Sequence, residues 1–108
     1  MFESNMFDAV VCLGGALSHI VDRVQREKAI DELVRVAKKN APIFVSVIGR
    51  LAVLICELIN YPEEIEDEKF FCRVRDTGDY YGEYGFTPCH FYLPEELEES
   101  FKRRGADS

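Results

Sequence analysis

The chain lacks the clustered basic residues that nucleic acids and anionic membranes attract. Among its 108 residues, 13 lysines and arginines stand against 20 aspartates and glutamates, and the formal net charge is −7. Binding an anionic backbone or surface requires lysine and arginine concentrated on one face. The basic residues here, Arg26 among them, fall mostly in segments with helical periodicity, where a solvated helix face explains them. We therefore expect neither nucleic acid nor a membrane as a partner.

The chain also lacks the cysteine and histidine spacing of a zinc site. Its four cysteines form no C-x-x-C pair, and its two histidines are not paired in sequence. Cys12 and Cys56 lie within apolar runs, where cysteine behaves as a small buried hydrophobic residue. We expect no metal, and we expect a reduced, cytoplasmic protein.

Long apolar runs are missing as well. The longest, Leu51 to Ile59, is interrupted by Glu57 and is far too short to span a bilayer. No signal peptide, repeat or low-complexity tract is visible. Hydrophobic residues make up 47% of the chain and charged residues 31%, a globular composition that predicts one small domain over residues 1–108.

What is present in the first half is a strand–helix–strand pattern. Residues 7–13 (FDAVVCL) form a continuous apolar run that ends at Gly14 and Gly15, which predicts a strand buried on both faces. Helical periodicity begins near Val21, and residues 42–49 (PIFVSVIG) predict a second strand. This order is typical of a βαβ unit with parallel strands.

The second half predicts more helix and a hairpin. Residues 50–60 are apolar nearly all round, which indicates a largely buried helix. The remaining predictions are a short helix or solvated loop over 62–69, an edge strand over 70–75, a long loop or hairpin tip over 76–89, a strand over 90–93 and a helix over 94–105. Pro94 in the first turn and Gly105 at the stop define the last helix.

The loop from Leu13 to Ile20 is the first candidate binding site. In open α/β sheets, ligands bind outside the carboxyl ends of the strands. Glycines let a ligand approach the backbone closely, and Ser18 and His19 could add side-chain hydrogen bonds. A plain tight turn, with His19 as a cap or surface residue, is the alternative interpretation.

Three segments together resemble a known family. They are FDAVVCLGGALSHI, AIDELVRVAKKNAPIFVSVIG and CHFYLPEELEESFKRRG, and they resemble the C-terminal half of a class I (Rossmann-like) S-adenosylmethionine-dependent methyltransferase. The matching pieces are the fourth strand at Phe7-Asp8, the helix end at 33–38, the fifth strand at 43–48 and the Glu-Glu-Leu helix at 92–97. The resemblance implies an α/β fold, a partial Rossmann-like methyltransferase sheet with a βαβ core that lacks the N-terminal cofactor-binding half.

The resemblance also implies a cofactor and residues that hold it. Cys12, Leu13 and Gly14 would line the methionine side of S-adenosyl-L-methionine, while Ser18 and His19 would face the cofactor or the methyl acceptor. The family's Gly-rich cofactor motif cannot be placed in this chain, and KKNAP stands where the family usually has a Pro-Gly-Gly turn. The implied reaction is methyl transfer to a small-molecule acceptor.

Three residues are candidates for binding that acceptor. Arg50 follows the second strand at its carboxyl end and could hold a carboxylate, Tyr81 lies in a tyrosine-rich segment that could form an aromatic wall, and His90 lies beside it. Each has a structural alternative: a solvated helix-start arginine, an exposed loop tyrosine and a packed strand histidine.

A second hypothesis comes from the missing half. Without it, one edge of a parallel sheet would be uncovered, and such edges invite pairing. The chain would then be a non-catalytic half-domain that pairs with itself, as a homo-oligomer, or with a chain supplying the N-terminal half.

Overall fold

Five helices and four short strands make up the computed structural model, which describes residues 2–106. The helices are α1 (Arg23–Val36), α2 (Arg50–Asn60), α3 (Pro62–Ile65), α4 (Glu68–Thr77) and α5 (Pro94–Lys102). The strands are β1 (Val10–Cys12), β2 (Ile43–Val45), β3 (Asp79–Tyr80) and β4 (Cys89–His90). A single 3-10 turn, Ala16–His19, lies between β1 and α1. The mixed α/β class expected from the sequence is confirmed.

The predicted βαβ unit is present, with shorter strands than expected. β1 and β2 pair in parallel, with Val10 opposite Ile43 and Cys12 opposite Val45, and α1 connects them. The prediction that the first strand is buried on both faces is wrong. The side chains of Val11 and Phe44 are 59% and 56% exposed, because α1 covers only the other face of the sheet.

Helix α2 begins and ends where the sequence predicted, but the prediction that it is largely buried is wrong. Arg50 is its only buried residue. Val53 and Leu54 pack against the core, whereas Leu51, Ile55 and Cys56 are exposed. An apolar helix buries only the stripe that faces its neighbours, and the helices in contact with α2 are α3 and α4.

Residues 70–75 form part of helix α4, so the predicted edge strand is wrong. The Asp67 side chain caps the helix by accepting from the Phe70 N–H at 3.2 Å. The helix ends at Gly78, whose φ of 79° is left-handed. Phe70 and Val74, four residues apart, are its buried residues, which is the helical repeat rather than the strand repeat.

The hairpin and the last helix match the predictions in outline. β3 and β4 are antiparallel, with Asp79 opposite His90, and residues 81–88 form the tip. The chain then leaves the hairpin: the Tyr92 N–H donates to Ile48 O at 2.9 Å, and the Arg50 N–H donates to Tyr92 O at 2.8 Å. This contact joins the hairpin to the parallel strands.

Two apolar clusters form the core. One, around Phe70, Val74 and Phe91, lies between α2, α4 and the hairpin, and the other, around Leu17 and Ile30, lies under α1 and α5. All four cysteines are free thiols. No helix within residues 2–106 has both the length and the apolar character needed to cross a membrane.

Candidate functional site

The loop after β1 is held in a conformation that needs its two glycines. Gly14 and Gly15 have φ values of 76° and 73°, both left-handed. The Gly14 N–H donates to the Ser46 hydroxyl oxygen at 3.0 Å, which ties the loop to the residue after β2. The loop therefore lies at the carboxyl ends of both parallel strands, as the sequence predicted.

The five predicted cofactor residues have different environments within this loop. Leu13 is 60% exposed and Gly14 is exposed, while Cys12 is half-buried beneath them. Ser18 is fully buried, and its hydroxyl oxygen accepts from the Ile48 N–H at 2.8 Å. The Ser18 side chain thus anchors the loop, and the accessible surface comes from Leu13 and Gly14.

His19 closes the loop beside the hairpin. Its ring is exposed, and its Nδ1 lies 3.4 Å from the sulfur of Cys89. Burial raises the pKa of the Cys89 thiol, which stays neutral beside the ring. The exposed imidazole is available to a ligand at the loop.

His90 is buried between two carboxylates. Only 2% of the residue is exposed, its Nδ1 lies 2.7 Å from Asp79 Oδ1, and its Nε2 lies 2.6 Å from Glu96 Oε2. Carboxylates of this chain therefore hold both ring nitrogens, which leaves neither nitrogen for a ligand.

Arg50 is buried against the same glutamate. Its guanidinium donates to Glu96 Oε1 at 3.0 Å, to Phe91 O at 3.1 Å and to Thr77 O at 3.2 Å. Burial alone would raise the pKa of Glu96, but the hydrogen bond and charge of His90, a backbone hydrogen bond and the charge of Arg50 lower it below its usual value. Arg50 is therefore occupied by groups of this chain.

Arg26 extends the row of charges to α1, so its interpretation as part of a solvated helix face is wrong. It is 7% exposed, donates to Val21 O at 2.5 Å, and lies 3.8 Å from Asp79 Oδ1. Arg26, Asp79, His90, Glu96 and Arg50 then form a continuous row, which we call the charged junction. It connects α1, the hairpin, α5 and α2.

A cleft of about 590 Å³ opens beside the charged junction. Arg26, Asp79, His90 and Glu96 line it, together with Tyr92 and residues of α5. The Tyr92 hydroxyl is buried and makes no hydrogen bond that meets standard geometry, although Arg26 is near enough to act on it. Burial raises the pKa of Tyr92 to about 12, so the phenol stays neutral. The cleft has the size of a small-molecule site.

Tyr81 does not join Arg50 and His90. Its ring is exposed, and the guanidinium carbon of Arg73 lies 4.6 Å from the ring centroid. Tyr80, one residue earlier, points into the core instead, 6.0 Å from the Phe91 ring. Of the three predicted acceptor-binding residues, the structure brings together Arg50 and His90, which share Glu96.

Sequence reasoning missed three members of the charged junction. Asp79 and Glu96 were not singled out, and Arg26 was assigned to solvent. The available signal was Glu96 three residues after Leu93, since the Leu93 N–H donates to Glu96 Oε1 at 3.3 Å as part of a capping arrangement. Within the described residues, no group of three histidine, cysteine or acidic side chains is arranged to hold a metal.

In comparisons with known proteins, no protein-family model, no curated protein and no solved structure matches the chain significantly.

Proposed function

We propose that this chain is the C-terminal portion of a class I S-adenosylmethionine-dependent methyltransferase that acts on a small-molecule acceptor. One observation carries the proposal: a left-handed Gly14–Gly15 loop follows β1 at the carboxyl end of a parallel, α1-linked strand pair. This is the position where ligands bind in open α/β sheets. The resemblance of three ordered segments adds the identity of the ligand.

The accessible part of the loop suits the methionine side of the cofactor. Leu13 offers an exposed apolar surface, and Gly14 is exposed with open space where a side chain would lie. Cys12 supports them from below, and His19 offers an exposed ring at the far end of the loop. S-adenosyl-L-methionine supplies an electrophilic methyl group on a sulfonium, and the protein chiefly has to align donor and acceptor.

The acceptor site of this proposal is the cleft beside the charged junction. His90 and Arg50 act there by fixing the positions of Glu96 and Asp79, since their own donors are already used within the chain. Tyr81 lies on the exposed hairpin tip. In this proposal the loop serves the cofactor and the cleft serves the acceptor, and the family's Gly-rich motif would have to come from another segment.

Isothermal titration with S-adenosylhomocysteine tests the proposal. We expect weak but saturable heat, which Leu13→Gln reduces because it removes the apolar contact. Leu58→Gln is the matched control: Leu58 is as exposed as Leu13 but lies on α2. No heat at millimolar ligand, or equal loss in both variants, would contradict the proposed cofactor site.

A second candidate function is a non-catalytic half-domain that pairs with itself or with another chain. The uncovered face of the β1–β2 sheet favours it, since Val11 and Phe44 are both more than half exposed. Contiguous exposed apolar residues mark interaction sites. Light scattering tests this candidate, and a monomer at every concentration and with every added partner chain would count against it.

A further inference from the structure

Strand β1 has one edge that no strand of residues 2–106 covers. In a parallel ladder, alternate residues of a strand direct both backbone groups toward the same neighbour. On β1 these are Val10, whose N–H donates to Pro42 O, and Cys12, whose carbonyl accepts from the Ser46 N–H, both at 3.0 Å. The N–H and C=O of Val11 therefore face outward, away from β2.

The surface beside this open edge is apolar. Val11 in β1 and the residues that flank the strand, Ala9 and Leu13, occupy alternate positions and are all exposed. A groove of about 460 Å³ borders the edge, and its lining is almost entirely apolar, from β1, α1 and the first residues of the chain. Its charged members, Glu32 and Arg35, pair with each other at 2.7 Å.

We propose that a second copy of this chain pairs with the open edge, β1 against β1. The two strands are antiparallel and are related by a two-fold axis that passes between the two copies of Val11. Each Val11 N–H then donates to the Val11 carbonyl of the other copy. The same register places Ala9 opposite Leu13, a small residue against a large one, on both sides of the axis.

Self-complementarity favours a second copy over an unrelated strand. The two-fold axis uses each outward donor and acceptor once and repeats each size match twice. It also places the two copies of α1 on the same face of a four-stranded sheet, running in opposite directions.

The size of the edge sets the expected strength. Stable interfaces bury about 800 Å² on each partner, and an edge centred on a three-residue strand provides less. We therefore expect a low-affinity, concentration-dependent dimer. Each copy carries a net charge of −7, so added salt should strengthen the dimer by screening the repulsion between copies.

Sedimentation of the full chain over a wide concentration range is the test. The wild-type protein should move from one protomer mass to two. Val11→Pro removes the outward N–H and leaves the bonds to β2 intact, since proline is tolerated where the N–H faces away from the ladder. It should weaken the dimer by about tenfold or more. Val11→Thr, which keeps the N–H and the branched shape, should stay within about threefold of wild type.

Amide hydrogen exchange gives a second measurement at the same residue. The Val11 N–H should gain protection as the dimer forms, whereas the Val10 N–H should be protected at every concentration. If Val11→Pro does not fold, Val11→Lys keeps the N–H and sets two lysines opposite each other across the axis, which should also weaken the dimer.

Two outcomes would overturn this edge pairing. One is a wild-type protein that is monomeric at all concentrations, and the other is a dimer that neither Val11→Pro nor Val11→Lys weakens, as expected if copies meet through α2. The inference does not rest on the methyltransferase proposal. The titration with S-adenosylhomocysteine tests the cofactor site, the sedimentation experiment tests the dimer, and either result can be negative without the other.

Discussion

The charged junction buries charged side chains, whereas the β1–β2 sheet exposes apolar ones. The junction buries Arg26, Arg50 and His90 almost completely, while the sheet leaves Val11 and Phe44 more than half exposed. Burying a charge is costly unless it is paired, and each charge of the junction has its partner on another element of this chain. The comparison indicates that the polar interior is completed within the chain, whereas the apolar face would gain stability from a further layer.

The largest effect should come from closing the space beside the junction at Gly78. A side chain there would place its Cβ 2.3 Å from Phe91 O and 2.7 Å from Arg50 Nη2, at a φ of 79°. We expect Gly78→Ala to lower the free energy of unfolding by about 3 kcal/mol or more, because backbone and guanidinium must both move. Urea denaturation followed by circular dichroism measures this.

The matched control for that change is Gly85→Ala. Gly85 also has a left-handed φ, 92°, but a Cβ there meets nothing within 4 Å. Its cost should be about 1 kcal/mol, which is the backbone term alone. Equal losses in the two variants would show that the junction is not tightly packed around Gly78.

The next effect should come from removing the histidine at the centre of the junction. His90→Ala leaves Asp79 and Glu96 without their shared donor, and we expect a loss of about 2–3 kcal/mol, reduced from the fully buried case by the partial exposure of both carboxylates. His19→Ala, at the exposed histidine, should change stability by no more than about 0.5 kcal/mol. A stable His90→Ala protein would indicate that the carboxylates find other donors.

The smallest effect should be a pH dependence of stability, to which Glu57 and Glu96 contribute with opposite signs. Burial, with Glu64 and Glu63 nearby, raises the pKa of Glu57 to about 7, and one Glu57 oxygen is buried with no hydrogen bond. A raised folded-state pKa gives stability at acid pH that is lost as pH rises from the ordinary glutamate pKa of 4.5 through about 7. Glu57→Gln should therefore stabilise the protein at pH 8 by on the order of 1 kcal/mol, after allowance for solvent screening.

Glu96 provides the opposite sign. Its folded-state pKa is lowered, so its contribution is present above the unfolded value and is lost as pH falls. Glu96→Gln should destabilise the protein near neutrality and flatten the acid limb of the stability curve. Thermal melts from pH 4 to 8 measure how the stability difference between each variant and the wild type changes with pH. Changes of the same sign for the two variants would contradict this assignment.

Local signals in the sequence were sufficient for several elements. Pro94 begins the last helix, which ends at Lys102, before the predicted stop at Gly105. The glycine pair ends β1 because both residues adopt left-handed backbone. Helix α4 was mistaken for a strand because a six-residue stretch with Phe70, Phe71 and Val74 fits either repeat. The burial of β1 and α2 was predicted wrongly. Apolar character shows which surfaces can be buried, but a surface is buried only where a neighbouring element covers it.

The candidate site was predictable only in part, for a related reason. Arg50 and His90 could be selected from their residue types, but their partners depend on the tertiary fold. Arg50 meets Glu96 across 46 residues of sequence, and His90 meets Asp79 across 11. No periodicity in the sequence encodes such pairs. The sequence therefore indicated residues that could bind a ligand, but it did not show that Arg50 and His90 already bind carboxylates of this chain.

The backbone contact of Tyr92 with Ile48 and Arg50 limits how copies of this chain can assemble. Tyr92 occupies the outer side of the sheet where β2 ends, through a parallel bridge to Gly49. Within the described residues, a further strand could not pair beside Gly49 without displacing Tyr92. Pairing of two copies at β1 uses a different part of the sheet and leaves this contact intact in both chains.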